Sequence, residues 1–123
     1  MNEGAIHSDN NHTQDIACQL NRLVGYLESC RQQNKLVTYI EVADAVDMPA
    51  PRRIHKVTLL LEALMEYDCI NSLPQRAALV VSRNRSRLPA NGFFLKAQAL
   101  GLIQENNEIE FHQQCLRDLF GVE

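Results

Sequence analysis

The sequence predicts a mainly α-helical fold with a short strand and a wing, arranged as a winged-helix-like helix-turn-helix domain. Three observations carry this expectation. Apolar residues recur at three- and four-residue steps over most of the chain, the spacing of a buried helical face. Thr38-Tyr39-Ile40-Glu41 has the capping-box pattern and opens a short helix, which a proline-containing turn separates from a longer one with arginines at its start. The continuous aliphatic run AALVVS at 77–82 is followed by RNRSRLPANG, rich in turn formers and cations.

Taken in order, residues 1–12 are polar and without periodicity, and are expected to form a disordered tail. Residues 13–123 are expected to form a single domain. Thr13 is placed to cap a helix reaching about Gln32, with Ile16, Leu20, Leu23, Val24 and Leu27 as its stripe. RQQNK breaks that pattern, and Leu36-Val37 leads in as a short extended piece. The Thr38 hydroxyl can accept from the N3 amide while Glu41 reaches back to the cap, with Val37 and Val42 placed as a hydrophobic staple. Asp47-Met48-Pro49-Ala50-Pro51 ends this helix, and Pro51 suits the first position of the next. That helix should run to Tyr67 and bury Ile54, Val57, Leu60, Leu61 and Leu64. A buried strand over 77–82, a wing or extended loop, a helix from Phe93 to Leu102 and a turn at QENNE follow. The closing helix should bury Ile109, Phe111, Cys115, Leu116 and Phe120.

Composition narrows the function classes. A chain of 123 residues suffices for one modest core, and 46% hydrophobic with 22% charged is the balance of an ordinary globule. No apolar run approaches the roughly 20 residues of a membrane span. The opening MNEGAIHSDNNHTQD lacks the basic start and apolar centre of a secretory leader, so a cytoplasmic location is expected. Cys18, Cys30, Cys69 and Cys115 include no CxxC and fall in helical patterns, which predicts core thiols. His7, Asp9 and His12 sit in an Asn-rich segment that predicts no metal, and no cofactor is expected.

The formal net charge is −3, yet the stretch from Cys69 to Gln104 contains no Asp or Glu while holding Arg76, Arg83, Arg85, Arg87 and Lys96. Arg52, Arg53, His55 and Lys56 lie just upstream. An acidic protein with its cations gathered in this way can present one basic face. A solvated surface loop is the alternative.

Residues 37–102 resemble the C-terminal, winged-helix domain of alkylguanine-DNA alkyltransferases and their alkyltransferase-like relatives. Val37-Thr38-Tyr39-Ile40-Glu41-Val42-Ala43 matches that family's Val-Ser/Thr-Tyr-x-x-Leu-Ala opening. Arg52-Arg53-Ile54-His55-Lys56-Val57 partly matches its Arg-x-Val-Gly-x-Ala recognition helix, and LVVSRNRSRLPANG supplies a strand and wing. The whole string is also similar to small bacterial proteins, which implies no function. The resemblance implies that Tyr39 helps to turn a nucleotide out of the duplex and that Arg52 fills the vacated space. Each also has a purely structural alternative, Tyr39 as a packed ring and Arg52 as a solvated first-turn residue.

The departures matter more. Where the family has Pro-Cys-His-Arg, this chain has Arg76-Ala77-Ala78-Leu79, so neither the thiolate nucleophile nor its neighbouring base is present. His55 stands where the family prefers glycine. The expectation is therefore a non-enzymatic DNA-binding module without alkyl transfer, in which Tyr39, Arg52, Arg53, Lys56, Arg83, Arg85 and Arg87 contact nucleic acid. A protein-interaction or regulatory adaptor built on the same scaffold is the competing expectation. The first predicts a basic stripe joining residues 51–56 to 83–87, the second an exposed apolar patch.

Overall fold

Thr38 meets the demand of its capping-box spacing. In the computed structural model, which describes residues 3–103 and 107–121 and side chains from residue 16 onward, its hydroxyl accepts the Glu41 N–H at 3.3 Å. The Glu41 carboxylate in turn accepts the Thr38 N–H at 2.8 Å. Helix α2 accordingly runs Tyr39–Ala45 directly from strand β1, Val37–Thr38. Helix α1 (Glu3–Gln32) precedes it; α3 (Arg53–Ile70), α4 (Asn91–Ala99) and α5 (Glu108–Phe120) follow. Five α-helices and a two-stranded sheet make the described chain mainly helical. None of these helices is long and apolar enough to cross a membrane.

Helix α1 starts at Glu3, well before the expected Thr13 cap, and occupies the segment expected as a tail. Once a nucleus exists at the packed end around Leu23 and Leu27, each added residue gains a backbone hydrogen bond, and no proline interrupts the segment. The side chains of His7, Asp9 and His12 and residues 104–106 of the turn expected over QENNE lie outside the described residues, and Glu108 of that segment begins α5.

Four helices end in the same device. A residue in the left-handed region follows the C-cap, Asn34 (φ 53°), Asp47 (φ 57°), Ser72 (φ 55°) and Gly101 (φ 75°). The next N–H then reaches back to close the helix: Lys35 to Cys30 O, Met48 to Ala43 O, Leu73 to Asp68 O and Leu102 to Ala97 O. This is the Schellman arrangement, which satisfies carbonyls that a helix end leaves open. Thus α2 stops at Asp47 and not through its prolines. Pro51 does not begin α3 either: Arg52 takes the N-cap with φ 59°, and the first helical residue is Arg53.

The expected strand over 77–82 is divided. Arg76–Leu79 forms a turn of 3-10 helix, and only Val80–Val81 form β2. The apolar run reports burial, which a tight helix and a strand share, so it carries no period to tell them apart. Strand β2 pairs with β1 in parallel, Val37 opposite Val80 and Thr38 opposite Val81. Helices α2 and α3 form the crossover that parallel pairing requires.

The 3-10 helix lies in the middle of the core. Ala77, Ala78 and Leu79 are buried among Leu23 and Leu27 of α1, Leu61, Leu64 and Met65 of α3, and Cys115 and Leu119 of α5. Polar contacts fix it as well. Arg76, expected within the basic stretch, instead pairs with the fully buried Asp68 at 2.6 Å and reaches Glu28 at 3.5 Å. The Arg76 N–H donates to the second Asp68 oxygen at 3.1 Å. From the opposite side, the buried His112 places Nε2 2.8 Å from Ala78 O.

Several expected core positions differ. Ile16 and Ile109 are exposed, as is Cys18, while Cys69 is half-buried and Cys30 and Cys115 are buried. Ile109 stands in the first turn of α5, and Ile16 lies on α1 ahead of its first buried residue, Leu23. Burial pushes the Cys30 thiol up and the Cys115 thiol up to about 12, so both stay protonated, as core thiols do.

Candidate nucleic-acid interface

The first turn of α2, the first turns of α3 and the segment 81–90 enclose an open groove of about 440 Å³. Tyr39, Ile40, Ile54, Thr58 and Arg83 are among its lining residues, so two separate parts of the chain meet there. Ile54 was expected in the core, yet 44% of its surface is exposed. Its phase on α3 is that of Val57 and Leu61, but the core does not extend under the helix's first turn. Helical phase reports direction around an axis, not depth along it.

Tyr39 is half-buried, and its hydroxyl accepts the Ala90 N–H at 2.9 Å. Burial of the ring raises its phenol above the ordinary value, opposed by the Ala90 bond and the Arg85 charge. The Glu41 carboxyl is held below its ordinary value, first by the Thr38 N–H and also by nearby Lys35 and Arg83.

The six basic residues expected at the site divide by their engagement. Arg53 donates to Met48 O at 2.7 Å and pairs with Asp44 at 2.9 Å, and Lys56 donates to Pro49 O at 3.0 Å. These two side chains tie down the turn between α2 and α3. Arg85 folds back toward the body: it lies 3.5 Å from Glu108, 3.4 Å from Pro89 O and 5.8 Å above the Phe94 ring. Arg52, Arg83 and Arg87 are exposed and form no ion pair among the described residues.

The segment 82–88 is a closed loop and not a hairpin. Ser82 N–H donates to Leu88 O at 2.8 Å, Leu88 N–H to Arg85 O at 3.0 Å, and Ser86 and Arg87 take positive φ. The loop therefore holds Arg83 at the groove rim with a defined backbone.

Beyond its first turns, α3 presents a different surface. Leu59, Ala63, Tyr67 and Ile70 lie exposed at helical spacing, Ile70 at 80%, and Leu95 of α4 is exposed as well. Glu66 of the same helix pairs with Lys96. Sequence periodicity missed this second apolar face, because α3 is apolar on more than one side and only the tertiary contacts say which side is covered.

Among the described residues, no group of three His, Cys, Asp or Glu side chains is arranged to hold a metal. Ala77 is 2% exposed. It lines a recess of about 10 Å³ together with Tyr39, Thr58, Leu61, Met65 and Phe93. Comparison of the chain with family models, with curated proteins and with solved structures gives no match.

Proposed function

We propose that the chain is a non-enzymatic nucleic-acid-binding module of winged-helix type that binds DNA. The observation that carries this proposal is the groove itself: the start of α3 and the 82–88 loop meet across it, with Arg83 on its rim. Arg52 stands two residues before Ile54 on one side and Arg87 four residues after Arg83 on the other. An exposed guanidinium on the rim of such a groove suits a phosphodiester, which accepts hydrogen bonds and never donates them. Arg53 and Lys56 keep further N–H donors beyond those that hold the turn. The short helix, turn and longer helix of α2 and α3 support the helix-turn-helix assignment. Ala77 and Ala78 offer neither nucleophile nor base, and the thiols of Cys30 and Cys115 are held protonated, which supports a module without alkyl transfer.

A titration with duplex DNA over a range of salt concentrations tests the proposal. Affinity should fall linearly on logarithmic axes, by about 0.9 per phosphate contact. Absence of binding even at low salt would remove the proposal.

The outer face of α3 favours a second function, that of a protein-interaction adaptor. Leu59, Tyr67 and Ile70 are exposed at helical spacing on α3, beside the Glu66–Lys96 pair, and Leu95 of α4 is exposed as well. In that case Ile70→Glu should abolish capture of the partner while leaving the unfolding midpoint unchanged.

A further inference from the structure

We infer that the groove takes the sugar–phosphate edge of base-paired duplex DNA and leaves the bases stacked. This rests on the nucleic-acid proposal above and names the form of DNA that the site accepts. It departs from what the alkyltransferase resemblance implies for Tyr39 and Arg52.

Turning a base out of a duplex costs a few kcal/mol, and the cost is recovered only where a fitted pocket receives the base. The recess beside Ala77 holds about 10 Å³, the lower limit for one water molecule. Its walls include Leu61, Met65, Ala77 and Phe93, all buried core residues. Opening it for a planar ring would displace that core, and a packed interior resists even one extra methylene. Tyr39 is part of the same wall, held by its bond to Ala90 N–H.

The open groove has the room, and the one charged side chain among its lining residues is Arg83. The Thr38 hydroxyl is shared with Glu41, the Thr58 hydroxyl donates to Ile54 O at 3.1 Å, and the Ser82 hydroxyl accepts from Asn84 N–H at 3.3 Å. Tyr39 and Ser82 keep an unused hydroxyl hydrogen beside their lone pairs, whereas Arg83 has donors alone and a fixed positive charge. A phosphodiester offers acceptors alone and a negative charge, and so matches Arg83 in both respects. Between these donors lie Ile40, Ile54 and Val81, apolar surface that suits the face of a deoxyribose. Arg52, exposed at the N-cap of α3, then neutralises phosphate and does not enter the base stack.

The test uses the full chain and one duplex, with a dye at one end reporting binding by anisotropy and a central 2-aminopurine reporting unstacking by fluorescence. Anisotropy should rise to saturation at low salt while 2-aminopurine stays at its free-duplex level. A several-fold rise in 2-aminopurine at saturation overturns the inference but leaves DNA binding standing. A flat anisotropy trace removes DNA binding itself, and the inference with it. Arg52→Ala supplies a second reading on the exposed residue: the salt slope should fall by up to about 0.9, as for loss of one phosphate contact. An unchanged slope with weaker binding would return Arg52 to the base stack and overturn the inference.

Discussion

The Tyr39 hydroxyl accepts the backbone N–H of Ala90 at 2.9 Å, joining the first turn of α2 to the N-cap of α4 across 51 residues of chain. Ala90 has no side-chain cap to offer its helix, and this phenol adds a polar tie to the body beside the buried Pro89. Tyr39→Phe keeps the ring and removes the acceptor. A half-buried N–H left without a partner should cost about 1–2 kcal/mol, read as a lower urea midpoint with an unchanged m-value. An unchanged midpoint would mean that water replaces the hydroxyl at no cost.

Thr38→Ala should cost about 1 kcal/mol, because α2 has only seven residues and little propensity to spare once its cap is lost. Thr38→Ser retains the hydroxyl and should recover most of that loss. Thermal unfolding of the two variants side by side separates the cap from the lost methyl group.

The loop arginines should separate into two kinds. Replacing Arg83 and Arg87 with Ala should leave stability within about 0.5 kcal/mol and lower the salt slope of DNA binding by up to about 0.9 per lost contact. Arg85→Ala should do the reverse. It loses the Phe94 ring and Glu108, so about 1 kcal/mol of stability should go while the salt slope stays. A slope that falls equally for all three would show Arg85 swinging out to DNA.

Asp68→Ala should be the most damaging single change considered. It strands Arg76, whose side chain is 12% exposed, without its main partner, and breaking such a buried pair costs about 3–5 kcal/mol. The affected element is the 3-10 helix at the centre of the core, so loss of cooperative unfolding is also expected. Stability close to wild type would mean that Glu28 alone suffices to hold Arg76.

His112 gives a pH dependence with a definite sign. Burial lowers its imidazole below the ordinary 6.5, opposed by the bond to Ala78 O. The folded chain thus resists a proton that the unfolded chain takes up, so the contribution is complete above about pH 6.5 and is lost as pH falls below that value. The slope from this one group cannot exceed about 1.4 kcal/mol per pH unit, the limit for one proton. His112→Gln should flatten this part of the profile when midpoints at about pH 7 and about pH 5.5 are compared. A slope that survives the substitution would belong to other groups.

The sequence by itself determined what depends on neighbours along the chain. The capping box at Thr38 and Glu41, the buried stripe of Val57, Leu60, Leu61 and Leu64, and the amphipathic α5 were legible, because caps and helical faces involve residues three or four apart. Even here, the left-handed closures at Asn34, Asp47 and Ser72 were not read, although helix ends were expected at RQQNK and at Asp47–Pro51, since a left-handed residue other than glycine leaves little compositional trace. Tertiary structure decided the rest. The run at 77–82 divides into a 3-10 turn and a two-residue strand where partners outside it meet its polar groups: His112 at Ala78 O, β1 along Val80–Val81, and Asp68 and Glu28 on Arg76 just before it. The same holds for the site. Seven residues were assigned to it by type and local spacing, but whether a cation faces solvent or the protein depends on partners elsewhere: Asp44 and Met48 for Arg53, Pro49 for Lys56, and Glu108 and Phe94 for Arg85. Local spacing fixes which way a side chain leaves the backbone, and only the packed chain fixes what it meets there.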